Sequence, residues 1–377
     1  MRITYKTLRR VINNSAEYLR QLIKTIVRSN AFMNTDRRAV VDLEEVNVPR
    51  RLNQICWLLR QAGYSVMVRI GWRAFTGFNR IGKDGFKDPN TFLTPFRMSR
   101  SYLMVTDEGG GSGIGRKEAL FPKTLRIDYT FYPPDTKKFK DNCYIPIMFH
   151  PSLMNADTYA RAAGLAHNSN RKVSIFFAGS LTRDKYDREV IRSQYGLLTR
   201  NEMIDAVMSG SGERGKPFAP RDFRDFQGRK DRGELADKTV IIDTGVCKIP
   251  QDRWLDVLSE VDFFLAAPGI SMPFCHNLPE SMAVGAIPVI QFGDLLYPPL
   301  EDRKTCLAFD SLDELKDIVT NVIPAMRPDE IGEMRERVVQ YHRQYLSPES
   351  FVARMKQFEE DSRRELRLIM ARRMYTD

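Results

Sequence analysis

Four short apolar segments recur in the second half of the chain, and each ends in glycine. They are KVSIFFAG (172–179), KTVIIDTG (238–245), DFFLAAPG (262–269) and AIPVIQFG (286–293). Amphipathic segments such as QDRWLDVLSEV (251–261) separate them. Buried apolar strands that alternate with helices are typical of a parallel sheet covered by helices on both faces. This pattern restricts the second half to a doubly wound α/β fold.

The first half repeats the alternation less regularly. A strand candidate at 38–42 precedes a helix predicted from Pro49 to Gly63, and a second strand follows at 64–70. This β-α-β unit is the building block of another parallel sheet. The sequence therefore predicts an α/β fold with two Rossmann-like domains that face a central cleft.

The chain length suits two domains of ordinary size, since it comprises 377 residues. The polar segment 152–171 is interpreted as the connection between them. We expect an N-terminal domain at 1–160 and a C-terminal domain at 161–345. The remaining residues, 346–377, are predicted to form a helix that packs back toward the N-terminal domain.

The composition argues against several other classes of protein. No apolar run approaches the roughly 20 residues of a membrane-spanning helix, and no secretory leader is recognisable, so we expect a cytoplasmic protein. The five cysteines are widely spaced and form no C-x-x-C pair. Neither a disulfide framework nor a structural zinc site is expected from that spacing.

The positive charge of the chain predicts an anionic partner, because the net charge is +10 and the isoelectric point is near 9.3. The first thirty residues hold seven Lys/Arg against one Glu, with apolar residues at helical spacing. The last residues, SRRELRLIMARRMYTD, are similarly basic. Two interpretations stay open: these ends contact an anionic membrane surface peripherally, or they are solvated helices that pack on their own domains.

The segment 262–294 combines a strand, a polar loop, a short helix and a second strand. Ligands of open parallel sheets bind beyond the carboxyl ends of the strands, which places a ligand in the loop 267–278. Pro279 suits a first helical turn and Gly285 a helix exit, so Glu280 is predicted close to the helix N-terminus. There the helix field would keep its carboxylate ionised, ready to accept both hydroxyl hydrogens of a ribose. The alternative is that Glu280 is only a carboxylate at the start of a helix and binds no ligand.

The run PESMAVGAIPVI (279–290) resembles the donor-site signature of GT-B glycosyltransferases, in which a Glu at this place binds the ribose of the nucleotide-sugar. With FFAGSLTRDKYDR (176–188), the series from about 172 to 310 resembles the exostosin-like glycosyltransferases. The resemblance implies transfer of a sugar from a nucleotide-sugar to a glycan, a lipid-linked acceptor or another hydroxyl. It also implies the GT-B architecture, in which the domain 161–345 binds the nucleotide-sugar and the domain 1–160 lies on the acceptor side. Exostosin-like sequences commonly carry an Arg three positions before this Glu, where this chain has Asn277. No preference for one nucleotide is therefore carried over.

Further residues are candidate contacts of the sugar donor. The turn at Gly179 and Ser180 lets the backbone approach a ligand closely. Three cations that follow it, Arg183, Lys185 and Arg188, are candidates for neutralising a leaving diphosphate, as the resemblance also implies; a solvated helix face is the alternative. Asn277 is either a ligand contact or a helix cap. The remaining candidates in the crevice are Gly269, His276 and Ser281.

No cofactor is expected beyond the nucleotide-sugar itself, which acts as a co-substrate. The chain contains no Asp-x-Asp motif. Its absence favours a metal-independent site, in which fixed cations stabilise the departing diphosphate.

The catalytic base is predicted only for one stereochemical outcome. An inverting transferase needs a carboxylate or histidine of the first half to take the acceptor's proton, whereas a retaining one does not. Glu44, Asp107 and Glu108 follow predicted strands of that half and are the candidates.

The glycine-rich stretch TDEGGGSGIGRK (106–117) fits neither the P-loop nor the dinucleotide-binding pattern of glycines. A smaller role is open to it. Gly110, Gly111 and Arg116 would contact the phosphates of the donor from the first domain when the cleft closes. A flexible surface turn is the alternative.

Two further functions stay open. One is a basic protein that binds nucleic acid or a membrane surface with an inactive α/β scaffold, and the other is a nucleotide-sugar epimerase. No stretch interleaves basic and aromatic residues as an RNA-reading strand does, so nucleic acid is not the expected partner.

Overall fold

A computed structural model of the chain contains two β-sheets surrounded by helices. It describes residues 5–33, 35–43, 49–77, 85–95, 103–107, 121–129, 141–209 and 216–371. Within these ranges one sheet has seven strands and the other has five, and all paired strands run parallel. The predicted α/β fold with two Rossmann-like parallel sheets is confirmed.

The first sheet has the strand order β3-β2-β1-β4-β5-β12-β6. Its strands are β1 (Arg38–Val41), β2 (Ser65–Arg69), β3 (Thr91–Thr94), β4 (Leu103–Asp107), β5 (Lys123–Asp128), β6 (Cys143–Tyr144) and β12 (Glu365–Ile369). The second sheet has the order β11-β10-β9-β7-β8. Its strands are β7 (Val173–Gly179), β8 (Thr239–Asp243), β9 (Val261–Ala266), β10 (Ile287–Ile290) and β11 (Leu307–Ala308).

Helices connect these strands and cover both sheets. In the first half they are α1 (Tyr5–Met33), α2 (Pro49–Gln61), α3 (Trp72–Thr76) and α4 (Ala156–Leu165). Those that connect strands of the second sheet are α5 (Arg183–Tyr186), α6 (Glu189–Tyr195), α7 (Arg200–Ser209), α8 (Phe223–Asp231), α9 (Trp254–Ser259) and α10 (Asn277–Ala283). The last four are α11 (Leu312–Asp317), α12 (Ile323–Ala325), α13 (Pro328–Tyr341) and α14 (Pro348–Glu360).

The strands are apolar along nearly their whole length because helices cover both faces of each sheet. Every residue of β4 and of β10 is buried, and in β7 only Ser174 is half-buried. One large hydrophobic core extends through both sheets, and a second, smaller cluster joins Phe32 of α1 to residues of the first sheet such as Val40 and Met67. The hydroxyl of Tyr144 also donates a hydrogen bond to the carbonyl of Leu295 (2.5 Å), which joins the end of β6 to the second half.

The C-terminal segment differs from the prediction of a helix over 346–377. A helix forms only at Pro348–Glu360 and is followed by strand β12, which inserts between β5 and β6 of the first sheet. Leu366 and Leu368 are fully buried while the residues between and before them are half-buried. This period of two is typical of a strand, and the abundant arginines of the segment obscured it.

The polar segment 216–238, whose sequence has no regular apolar periodicity, contains helix α8. Asp222 caps the helix by accepting a hydrogen bond from the backbone N–H of Asp225 (2.8 Å). Phe226 is fully buried and anchors it to the second sheet. A single apolar anchor carries too weak a periodicity to be recognised in a sequence, although the cap was visible.

No helix in the described part of the chain is long and apolar enough to cross a membrane.

Candidate functional site

A cavity of about 430 Å³ lies beyond the carboxyl ends of β7 and β9. β7 comes first in the chain within its sheet, and its two neighbours, β8 and β9, lie on opposite sides of it. The chain therefore changes direction across the sheet at β7, and such a switch point is where open α/β sheets bind ligands. The lining residues central to the chemistry come from the segment after β6, the end of β7, the loop after β8, helices α7 and α9, and the start of α10 with the residue before it. They are His150, Gly179, Ser180, Lys248, Arg200, Trp254, His276, Asn277 and Glu280.

Glu280 is almost completely buried, with 1% of its surface exposed. The backbone N–H of His150 donates to its Oε1 and the indole N–H of Trp254 donates to its Oε2, both at 2.6 Å. Burial nevertheless dominates and raises the pKa of Glu280 to about 8, although both hydrogen bonds act to lower it. The expectation that the helix field keeps this group ionised is wrong, because desolvation outweighs the field of the seven-residue helix α10.

Glu280 also links the two halves of the protein. Its donor His150 follows strand β6 of the first sheet, whereas Glu280 belongs to α10 of the second half. The imidazole of His150 lies edge-on to that of His276, with ring centroids 4.9 Å apart, and both histidines line the cavity. The predicted crevice residue His276 therefore lies in the cavity, next to a histidine from the other half.

Asn277 does not cap α10, so that interpretation is wrong. The helix begins at Asn277, and His276 occupies the cap position. The side-chain amide of Asn277 instead donates a hydrogen bond to the carbonyl of Ala178 (2.9 Å). This bond ties the start of α10 to the end of β7 and fixes the wall of the cavity.

The end of β7 requires a glycine because side chains crowd it. A Cβ atom on Gly179 would lie 2.9 Å from Cζ of Phe177 and 3.1 Å from Nη1 of Arg200. Ser180 follows and also lines the cavity, with its hydroxyl 3.0 Å from that of Thr182. The predicted Gly-Ser turn therefore gives the adjoining Arg200 room to lie against the strand end.

Arg200 is the principal residue that the sequence interpretation missed. Its guanidinium is 4% exposed, donates to the carbonyls of Pro268 (2.9 Å) and Ser180 (3.1 Å), and lies 3.7 Å from the ring centroid of Tyr186. No carboxylate among the described residues pairs with it. A buried cation compensated only by neutral acceptors leaves a positive potential in the cavity.

One signal could have identified Arg200. It is the first residue of α7, where the helix dipole disfavours a cation. A basic residue at that place needs compensation from the tertiary structure, here by Tyr186 and two carbonyls. Lys248, in the loop after β8, is a second cation on the cavity wall; it is exposed, and no ion pair joins it to any residue that the structure describes.

The three cations predicted for the diphosphate lie outside the cavity lining. Arg183 is on the exposed surface of α5, where its Nη2 lies 2.9 Å from an oxygen of Asp205. Lys185 and Arg188 are exposed as well. The helix α5 is a single turn that presents its charged side chains to solvent. Arg200, from the next part of the chain, supplies a cation to the cavity instead.

Two other predicted ligand contacts, Ser281 and Gly269, hold the local backbone in place and are not part of the cavity lining. Ser281 is fully buried, and its hydroxyl donates to the carbonyl of Leu278 within α10 (2.8 Å). Gly269 forms the tight loop after β9, where its N–H donates to the carbonyl of Met272 (3.0 Å). A Cβ atom on Gly269 would lie 2.7 Å from that carbonyl oxygen, so the residue shapes the loop rather than contacting the cavity.

Of the predicted catalytic carboxylates, only Asp107 lies within the described residues. Asp107 is fully buried at the end of β4 and is not part of the cavity lining. Glu44, Glu108, Gly110, Gly111 and Arg116 lie outside the described residues. In the described part of the chain no group of three His, Cys, Asp or Glu side chains is placed to hold a metal ion.

No protein-family model and no curated protein matches the chain. Several solved structures are similar in fold. AviGT4, a glycosyltransferase involved in avilamycin A biosynthesis, is 14% identical; the match covers 87% of this chain and 97% of that one, with a TM-score of 0.41.

A glycosyltransferase from Rickettsia africae ESF-5 is 10% identical, covers 87% of this chain and 99% of that chain, and has a TM-score of 0.48. Anabaena HepE, solved in complex with UDP and glucose, is 9% identical, covers 86% and 99%, and has a TM-score of 0.43. At these values the similarity assigns the chain to no family.

Proposed function

We propose that the protein is a glycosyltransferase that binds a nucleotide-sugar in the cavity at β7 and β9 and transfers the sugar to a hydroxyl acceptor. One juxtaposition carries the proposal. A buried carboxyl group, Glu280, and two cations without carboxylate partners in the described chain, Arg200 and Lys248, line a single cavity at the switch point of a parallel sheet. A nucleoside diphosphate combines the two matching chemical groups, a ribose diol and a diphosphate.

Each carboxyl oxygen of Glu280 already accepts one hydrogen bond, from His150 or Trp254. An oxygen of this kind has a second lone pair, so each can accept one ribose hydroxyl. Hydrogen bonds of this type favour the ionised form. Because the pKa of the free group is raised to about 8, binding of the ribose is coupled to the release of a proton near neutral pH.

The diphosphate would lie against Arg200 and Lys248. In the transfer step the bond between the anomeric carbon and the diphosphate oxygen breaks, and a bond from that carbon to the acceptor oxygen forms. The electron pair leaves with the diphosphate, and the proton of the acceptor hydroxyl passes to that departing diphosphate, directly or through water. Fixed cations in a buried site stabilise the charge that develops on the departing group. In this proposal Arg200 and Lys248, and not a metal ion, stabilise the departing diphosphate.

The acceptor would approach from the side of the first half, where His150 reaches the cavity. The resemblance of 279–290 and 176–188 to exostosin-like glycosyltransferases supports a glycan or lipid-linked acceptor. We also propose the domain limits 1–160 and 161–345, with 346–377 returning to the first domain, and a cytoplasmic location.

A thermal-shift panel of UDP, GDP, ADP and CMP, without and with EDTA, tests the proposal. One nucleoside diphosphate should raise the melting temperature, with and without EDTA, and the matching sugar nucleotide should then label a hydroxyl acceptor. If none of the nucleotides stabilised the protein while it bound RNA in a salt-sensitive manner, the alternative of a basic binding protein would replace the proposal. Interconversion of the sugar without transfer would indicate an epimerase.

A further inference from the structure

Helix α1 is fixed to the first sheet along one face. Tyr18 and Phe32 are buried, and the hydroxyl of Tyr18 donates to the carbonyl of Ile70 (3.2 Å). The side-chain amide of Asn14 donates to the carbonyl of Thr76 (2.8 Å), and the ammonium of Lys24 donates to three carbonyls that include that of Thr91 (2.9 Å). The helix is therefore a firmly held part of the domain, and its opposite face has a constant orientation.

That opposite face is apolar and exposed. Its large apolar side chains are exposed by 58 to 75% and recur at intervals of seven, four, three and one residues, which places them on one stripe of a helix: Ile12, Leu19, Ile23, Ile26 and Val27. We name these five residues the α1 stripe. Trp72, 48% exposed, adjoins it and donates its indole N–H to the hydroxyl of Ser15 (3.0 Å). Only two other large apolar side chains of the described chain are exposed, Met208 and Val246.

The flank of the α1 stripe is basic. The helix Tyr5–Met33 contains six Lys/Arg and one acidic residue, Glu17, which pairs with Arg20. Arg9, Arg10 and Arg28 are exposed, and no carboxylate of the described chain pairs with them. The surface therefore combines an apolar stripe with uncompensated positive charge.

We infer that α1 docks on an anionic membrane surface. An apolar stripe bordered by arginines is the surface that an amphipathic helix inserts at the level of the lipid headgroups, with the arginines on the acidic phosphates. A second copy of the chain is a poorer occupant, because two such helices would bring arginine against arginine with a single, already paired Glu on each. The inference does not depend on the proposed enzymatic activity.

Sedimentation of the full chain with lipid vesicles tests this inference. We expect binding to vesicles of phosphatidylcholine and phosphatidylglycerol in equal parts, and at least tenfold weaker binding to phosphatidylcholine alone. The double variant Ile23→Glu/Val27→Glu should bind the anionic vesicles at least tenfold more weakly. Because both side chains are exposed, its melting temperature should equal that of the wild type. Arg9→Gln/Arg10→Gln should weaken the binding several-fold.

Met208→Glu, an exposed apolar residue on α7, is the matched control and should bind as the wild type does. Equal binding by Ile23→Glu/Val27→Glu and the wild type would overturn the inference, as would no binding of the wild type to anionic vesicles. A dimer of the wild type in light scattering that this double variant converts to monomers, without vesicle binding, would assign the stripe to self-association instead. The assay contains no nucleotide, so its result is separate from that of the nucleotide panel.

Discussion

Both parallel sheets have a switch point, but the charged side chains are paired with each other at one of these points and not at the other. In the first sheet the switch lies between β1 and β4, where Asp42 follows β1 and is neutralised by Arg69 (2.7 Å), an ion pair within one domain. In the second sheet the switch lies at β7, where the carboxyl group of Glu280 meets N–H donors only and the guanidinium of Arg200 meets neutral acceptors only. In the first arrangement the charges neutralise each other, whereas in the second an acid and a cation have no charged partner among the residues that the structure describes.

This difference shows why fold alone does not locate the binding site. Each sheet offers a crevice at the carboxyl ends of its strands, but charges that are paired within the protein have little to offer a charged ligand. Unpaired buried groups are costly to fold and are retained where a ligand completes them. The second sheet therefore carries the nucleotide in our account.

The largest expected effect tests the environment of Glu280 by pH. Its pKa is about 8 when folded, above its value in the unfolded chain, so the folded state favours the protonated form. The resulting contribution is fully present below about pH 4.5 and disappears as the pH rises to about 8, a change on the order of 4 kcal/mol. Urea unfolding from pH 4.5 to 8 should show the wild type losing that stability relative to Glu280→Gln. A constant difference between the two proteins would show that burial does not perturb this carboxyl group.

A smaller effect is expected at the end of β7. Gly179→Ala places a methyl carbon 3.1 Å from Nη1 of Arg200 and 2.9 Å from Cζ of Phe177, so these side chains must shift. We expect about a tenfold loss of nucleotide affinity, equivalent to about 1.4 kcal/mol, in calorimetric titration. Gly164→Ala, in α4, is the control because its new methyl group meets no atom within 4 Å. Equal losses in both variants would remove the link between Arg200 and the ligand.

Much of the fold followed from local pattern. The continuous apolar runs of β7, β8, β9 and β10 predicted a parallel sheet. Residues of the loop 267–278, where that sheet led us to expect a ligand, line the cavity. Strand β12 was missed because its alternation extends over only five residues, and its partners β5 and β6 are more than 200 positions earlier.

The site was less predictable because its chemistry depends on distant contacts. Pro279 and Gly285 located Glu280 near the start of a helix, but its protonation is set by burial against Trp254 and His150, which no local pattern joins to it. Arg183 was favoured by its position after β7, yet Asp205 holds it at the surface. Arg200 reaches the cavity only because α7 folds back against the loop at Pro268.

The most direct test of the account compares Arg200 with two arginines that have carboxylate partners, Arg69 and Arg183. Calorimetric titration of the nucleoside diphosphate selected by the thermal-shift panel should show at least a hundredfold loss of affinity for Arg200→Ala, equivalent to about 2.7 kcal/mol or more, the range of charge-assisted hydrogen bonds to a phosphate. Arg69→Ala and Arg183→Ala should bind within about twofold of the wild type. Wild-type affinity in folded Arg200→Ala, or an equal loss in Arg69→Ala, would contradict the assignment of the nucleotide to the second sheet.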